Sequence, residues 1–257
     1  MNNIDFGRHS NDYAEYRPGF PPSFYEKLNS IVNIKGTRSL DLATGPGIIA
    51  LELAARGSSV TGIDISEGQI AAAQGEAKKR NLPVKTKFIV AKAEDTGQDP
   101  NSFDLVTAGQ SWHWFKSDQA MKEVKRVLHP GGLLVIANYC YLAEHSSIAH
   151  DTEDLILKFN PTWPMAGNKG VFPHLIDEVI NGGFELVEQF CYDHKEEFSH
   201  IRWRGRMRTC NGVGSGGLSP DEVIQFDKEL DELLKRKYSD PLFVEHRLWC
   251  VIAKKPE

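Results

Sequence analysis

Arg38-Ser-Leu-Asp-Leu-Ala-Thr-Gly-Pro-Gly-Ile-Ile-Ala-Leu-Glu-Leu-Ala-Ala55 carries the reading that decides the fold. Ser39–Ala43 alternates as a buried strand does, and Ile48–Arg56 has the apolar content of a helix packed on it. Gly45 and Gly47 lie between them, where the chain must turn sharply and a ligand can approach the backbone without meeting a Cβ. A helix starting there aims its unpaired N–H groups at whatever occupies the turn. A second strand, Ser59–Ile63, is followed by Asp64, 19 residues after Gly45. A carboxylate at that place can accept both hydrogen bonds of a ribose diol, which is the layout of a nucleotide-cofactor site.

Working outward, the alternation continues. Ser66 predicts the N-cap of a helix to Arg80, which Asn81-Leu-Pro83 stops. Strands are expected at Lys85–Val90, Phe103–Ala108 and Leu133–Asn138. A helix at Asp118–Leu128 ends in His129-Pro-Gly-Gly132. Farther on, Val171–Asn181 reads as a helix, Gly183–Phe190 as a sixth strand and Arg247–Ala253 as the last. Between those strands Ser219 caps a helix that has Pro220 at its first position and runs to about Tyr238. The fold class is therefore α/β, a Rossmann-like seven-stranded, mostly parallel sheet with helices on both faces and a helical cap. Ligands of such sheets bind at the carboxyl ends of the strands, beside the first strand.

Composition narrows the function. Thirty Lys and Arg against 35 Asp and Glu leave a net charge of −5, so no nucleic-acid partner is expected. Four cysteines without a C-x-x-C pair fit a reduced, cytoplasmic protein. The polar start, MNNIDFGRHSND, gives no expectation of a secretory signal, and the most apolar stretch, Gly131–Ala143, is too short to span a bilayer. The nine histidines include no H-E-x-x-H, and His145…His150 matches no ligand spacing, so no metal is expected.

Two cofactors compete for the glycine loop. Gly45-Pro-Gly-Ile-Ile-Ala50 satisfies G-x-G-x-x-A, which is compatible with a dinucleotide and hence with an NAD(P)-dependent oxidoreductase. Asp41, late in the first strand, opposes that reading: a carboxylate sits badly near a pyrophosphate and suits a cofactor with a positive amino group. S-adenosylmethionine has that group and no phosphate.

These segments resemble the class I S-adenosylmethionine-dependent methyltransferases, and within them the small-molecule group related to trans-aconitate methyltransferases. Asp41-Leu-Ala-Thr-Gly-Pro-Gly47 is similar to the first family motif, D-x-G-x-G-x-G, with Ala43 in place of the first glycine and a slightly displaced backbone expected there. Gly62-Ile-Asp-Ile-Ser66 resembles the second motif, whose acid takes the ribose hydroxyls. Ala93-Glu94 with Ser102-Phe-Asp-Leu-Val106 resembles the stretch that borders the adenine, although Lys92 stands where many relatives carry an acid. Ala43 and Lys92 leave open a catalytically silent binding protein of the same family. The implied cofactor is S-adenosylmethionine, held by Tyr16, Asp41, Ala43, Gly45, Gly47, Asp64, Ile65, Ala93, Glu94, Gln110 and Ser111. The implied organisation is one domain over 1–257: a core of 36–139, 170–194 and 243–255, a lid of 1–35, and cap insertions at 140–169 and 195–242.

Methyl transfer from a sulfonium needs alignment and exclusion of water more than acid–base help. An acidic acceptor attacking through oxygen needs no base, whereas a hydroxyl or amine would use one. His113, in Gly109-Gln-Ser-Trp-His-Trp-Phe115, is the candidate base or orienter, and Trp112 and Trp114 are expected to face a small-molecule acceptor. Tyr13, Tyr16 and Arg17 resemble the family's lid. Four arginines lie within Arg202-Trp-Arg-Gly-Arg-Met-Arg208, and the guanidinium fork matches carboxylates, so Arg204 and Arg208, with Trp163, are expected to hold the acceptor. A solvated basic face, or a patch for RNA phosphates, is the other reading of the same run.

Overall fold

The computed structural model describes residues 15–257, so the lid residue Tyr13 lies outside the described residues. Strand β1 (Arg38–Leu42) is buried from Ser39 to Leu42 because it is central. It pairs in parallel with β2 (Ser59–Asp64) through Leu40↔Thr61 and with β4 (Phe103–Gly109) through Leu40↔Val106. β3 (Thr86–Val90), β5 (Leu128–Tyr141), β6 (Glu185–Phe198) and β7 (Leu242–Lys254) complete a seven-stranded sheet of order β3–β2–β1–β4–β5–β7–β6. β7 runs against β5: Gly131 N–H meets Lys255 O at one end, and Leu142 N–H meets Glu245 O at the other. The sheet is thus mixed, and its order reverses beside β1, where the loops after β1 and β4 diverge.

The helices are α1 (Pro22–Ile31), α2 (Ile48–Ala55), α3 (Glu67–Lys79), α4 (Ser117–Val127), α5 (Ser147–Phe159), α6 (His174–Asn181), α7 (His200–Arg208) and α8 (Pro220–Lys237). α2 buries Ile49, Ala50, Leu51, Leu53 and Ala54, the pattern of a helix covered on most sides. Ser66 caps α3 by accepting from Gln69 N–H. Ser219 and Glu222 form a reciprocal capping box on α8.

The edge elements differ from expectation. β6 runs eight residues past the anticipated Phe190, through Tyr192-Asp-His-Lys-Glu-Glu197. It is the last strand of the sheet order, where charged side chains face water and blunt the open edge. β5 and β7 also outrun their apolar centres. α1, α5 and α7 were not anticipated: α1 begins at Pro22 without a side-chain cap, and α7 carries the arginines and an internal Gly205.

The chain divides into two compact units. One comprises Gly19–Tyr139, Phe172–Cys191 and Leu248–Glu257. Its core gathers Leu40, Leu42, Val106, Ala108, Ile136, Val251 and Trp112. The other comprises the described residues up to Pro18, Cys140–Val171 and Tyr192–Arg247. Its core is built on Trp203, Phe198, Phe226, Leu230 and Tyr141.

Candidate functional site

The turn after β1 is written into three positive φ angles: Ala43 at 47°, Gly45 at 56° and Gly47 at 88°. Two are glycines, for which this region carries no Cβ penalty; Ala43 adopts it at a cost. The loop is fixed by its own amides: Thr44 N–H donates to Ile63 O (2.8 Å) and Gly47 N–H to Thr44 O (2.9 Å). Gly45 N–H donates to Asp64 Oδ2 at 3.0 Å, and Ser66 N–H to Asp64 Oδ1 at 2.9 Å. Asp64 is therefore the post on which the loop and the end of β2 are both tied. Burial pushes its carboxyl up, and the backbone N–H groups of Ser66, Gly45 and Ile65 hold it back.

Asp41 is buried one layer below. Thr44 Oγ1 and Thr107 Oγ1 each donate to it at 2.6 Å. Gly47, the N-cap of α2, has no side chain to offer, and the nearby Ala50 amide favours the Asp41 anion. Desolvation raises its pKa to about 6, against the hydroxyl and amide donors that favour the anion. Asp41, buried near the end of β1 beneath the glycine loop, makes that loop a poor seat for a pyrophosphate.

Of the remaining expected cofactor residues, Ile65, Ala93, Glu94, Gln110 and Ser111 belong to the same unit as this turn, whereas Tyr16 belongs to the other. Ile65 is 73% exposed, whereas Ala93 is buried. Glu94 accepts from Lys116 N–H at 2.8 Å, tying the segment after β3 to the segment after β4. At the end of β4, Gly109 permits close packing: a Cβ there would lie 2.4 Å from Ile49 Cδ1. Gln110 takes a φ of 57° and donates through Nε2 to Tyr139 O, while Ser111 Oγ reaches Leu42 O at 3.4 Å.

Trp112, His113 and Trp114 form a single 3-10 turn, which separates their side chains. Trp112 enters the core and donates Nε1–H to Glu178 Oε2 at 2.9 Å, so it anchors the loop. His113 and Trp114 are exposed and their rings meet at 4.6 Å.

In the second unit the arginines of α7 follow helical arithmetic. Positions four apart share a face, so Arg204 and Arg208 form one pair and Arg202 and Arg206 another. Arg204 binds both Asp227 and Asp231 of α8, the latter at 2.7 Å; Arg208 binds Asp227 at 3.0 Å. In place of the expected acceptor, both find carboxylates of their own chain. Tyr16 lies flat on α7: a Cβ at Gly205 would fall 2.2 Å from Tyr16 Cγ, and Arg208 covers the ring at 5.4 Å. Arg17 donates to Thr209 Oγ1 and Thr209 O, each at 3.1 Å. Trp163 is buried in the core of this unit with its Nε1–H on Asn211 Oδ1 at 2.9 Å.

Sequence reasoning passed over Thr107 and Arg206. Thr107 pairs with Asp41 across β1 and β4, a register that single-strand patterns do not reveal. The spacing of four sets Arg206 apart from Arg204 and Arg208 but not from Arg202. Among the described residues no group of three His, Cys, Asp or Glu side chains could hold a metal ion, and no helix is long and apolar enough to cross a membrane.

A family model for a methyltransferase domain matches residues 40–136, the stretch holding both carboxylates and the glycine loop. The uncharacterized methyltransferase Rv3342 of Mycobacterium tuberculosis is 33% identical over 131 residues, 51% of this chain and 50% of that protein. The chain thus spans about half the length of the curated relatives it matches first. The uncharacterized methyltransferase C25B8.09 of Schizosaccharomyces pombe is 30% identical over 228 residues, covering 87% of this chain and 84% of that one. Among solved structures, a proposed type II methyltransferase from Anaeromyxobacter dehalogenans superposes with a TM-score of 0.66 over 94% of this chain and 100% of that one. At 22% identity that likeness is one of fold.

Proposed function

Since the chain belongs to the class I S-adenosylmethionine-dependent methyltransferases, we propose that it transfers a methyl group from S-adenosylmethionine to an oxygen of a small acidic metabolite, as the trans-aconitate methyltransferase group does. The observation that carries this reading is the tying of Gly45 to Asp64, which brings a backbone turn with no side chains in the way against a carboxylate at the end of β2. The residues present fit the cofactor. Asp64 offers acceptors to a ribose diol, and Ile65 gives an apolar surface beside it. Ala93 and Glu94 would hold the cofactor's adenine. Ala43, Gly45 and Gly47 leave room for the chain of the amino acid moiety, and Asp41 adds negative charge that favours its ammonium group.

When bound, S-adenosylmethionine supplies a sulfonium-activated methyl group whose displacement needs in-line approach and little else. This chain's residues position and shield: Gln110 and Ser111 line the strand ends, and Trp114 offers an aromatic face to positive charge. His113 holds or orients a proton where the acceptor needs it, and a carboxylate acceptor needs none. Trp112 sets the loop's position from the core. Trp163 and the α7 arginines belong to the stretches proposed as cap insertions of a single domain, 1–257. Arg204 and Arg208 shape that cap through Asp227 and Asp231. The free thiols of Cys140, Cys191, Cys210 and Cys250 support a cytoplasmic location.

The test is calorimetry with S-adenosylhomocysteine and with NADPH, followed by a methyl-transfer screen over mono-, di- and tricarboxylates. The expected result is binding of the homocysteine adduct only, weakened at least tenfold by Asp64→Ala, with turnover on a carboxylic acid. Binding of NADPH instead, or full affinity in Asp64→Ala, would overturn the reading.

A further inference from the structure

Arg206 sits among side chains that do not neutralise it. It is only 5% exposed, its guanidinium lies 4.6 Å from the Tyr141 ring and 5.5 Å from the Trp203 ring, and its Nε–H has no acceptor among the described residues. Its neighbours on α7 are treated differently. Arg204 and Arg208 meet aspartates, and Arg202 lies near Glu196, donates to Glu197 O and covers the Phe198 ring. No carboxylate pairs with Arg206 among the described residues. Instead the charge of Arg17 acts on it, and both that repulsion and burial disfavour its cation. The buried acid of this unit, Glu153, accepts from Gly167 N–H at 2.9 Å and is itself pushed toward its neutral form by burial.

A guanidinium does not give up its proton, and burying one without a counter-charge costs several kcal/mol. Aromatic faces recover only part of that. Placing a second guanidinium beside it raises the cost, and the arrangement makes physical sense when an anion completes it. The surroundings identify the kind of anion. Tyr141 and Trp203 pack on the Arg206 guanidinium and Cys140 and Cys210 lie near it, apolar surroundings for an organic body, while Arg206 offers an N–H fork to its charged end and Arg17 adds positive charge. Phosphate, with more oxygens to satisfy and no apolar body, fits these surroundings less well.

We propose that Arg206 and Arg17 form the binding site for the carboxylate of a small organic acid, with Tyr141 and Trp203 packing against the guanidinium. Identifying that acid with the methyl acceptor rests on the function proposed above; the site itself does not. Arg17 is half-buried and held by Thr209, which keeps its charge beside Arg206.

The experiment is titration of the full chain, without cofactor, with acetate, succinate, citrate and inorganic phosphate at constant ionic strength. Calorimetry and the quenching of tryptophan fluorescence are the readouts. At least one of the di- or tricarboxylates is expected to bind more tightly than phosphate, and Arg206→Met to weaken it at least tenfold. Arg206→Lys should fall between, because it keeps the charge and loses the fork. The melting temperature of ligand-free Arg206→Met is expected at or above that of the wild type, since the substitution removes an unmatched buried charge at similar volume. A purely structural arginine would lower it. Equal carboxylate affinity in Arg206→Met, no carboxylate binding by the wild type, preference for phosphate, or a melting temperature lowered in both variants with affinity unchanged would each overturn the proposal. Loss of S-adenosylhomocysteine binding with carboxylate binding intact would count against the proposed function and leave this site standing.

Discussion

Ala43 and Asp41 are the two residues at which this chain stores local cost. Ala43 holds a φ of 47°, the left-handed conformation a glycine takes without penalty, so Ala43→Gly is expected to stabilise the protein by about 0.5–1 kcal/mol. Chemical unfolding of the two proteins measures this, and a loss of stability would mean that the Cβ packs favourably enough to offset the strain. Asp41 stores its cost as charge. Its native pKa of about 6 lies above the usual carboxylate range, so between about pH 4 and 6 the native state keeps a proton that the unfolded chain has released. Its contribution is fully present below the unfolded value and is lost as pH rises through about 6, by about 3 kcal/mol in all. Asp41→Asn should remove this dependence, so urea unfolding from about pH 4 to 7 should show the variant gaining on the wild type. Parallel curves would refute the assignment. A bound cation would favour the ionised form of Asp41, so affinity for S-adenosylmethionine is expected to rise across the same window.

At the scale of elements, α4 shows the opposite linkage. Glu123 accepts from Arg126, Thr96 N–H and Thr96 Oγ1, and these bonds bring its carboxyl down to about 2. That stabilisation is present above the usual glutamate pKa and is lost as pH falls through about 2. Glu123→Gln should therefore cost roughly 1–3 kcal/mol near neutrality, with the deficit shrinking as acid protonates the wild type. Thermal unfolding at pH 7 and at pH 3 separates this from a packing defect, which acid would leave unchanged. The elements also differ in how plainly the sequence announced them. α3 and α8 begin at Ser66 and Ser219, whose side chains cap them as the spacing implied. β6 escaped because an edge strand can be polar along its length, and hydropathy shows no difference between such a strand and a loop. α7 escaped because its charge drew attention away from its period: every second residue from 202 to 208 is arginine, and only the spacing of four sorts them onto faces.

Across the whole molecule, legibility follows the two units. β1 to β4 and the helices between them are punctuated locally by glycine, proline and serine, so their order and the glycine loop could be read one segment at a time. The unit built on Trp203 and Phe226 draws its core from two separate stretches of chain, joined by contacts such as Trp203 Nε1–H to Thr152 Oγ1 that no single window of sequence contains. The partners of Arg204, Asp227 and Asp231, lie 23 and 27 residues away on another helix. Cofactor binding supplies a test at this scale. A ligand that binds only the native state at about 100 times its Kd adds about 2.7 kcal/mol. For a chain of this size that is about 5–10 °C in melting temperature. S-adenosylhomocysteine is expected to produce that shift, and no shift at saturation would argue against a preformed loop.

The seat of Tyr16 on Gly205 has a consequence for descent. The ring occupies the space a Cβ would fill, so neither position can change alone without the contact being lost. Position 205 is closed to every larger residue while an aromatic stands at 16, and open once it does not. Homologues should therefore divide into two sets: glycine at 205 with an aromatic at 16, or a side chain at 205 with a small residue at 16. An alignment rich in mixed pairs would show that the two residues drifted independently.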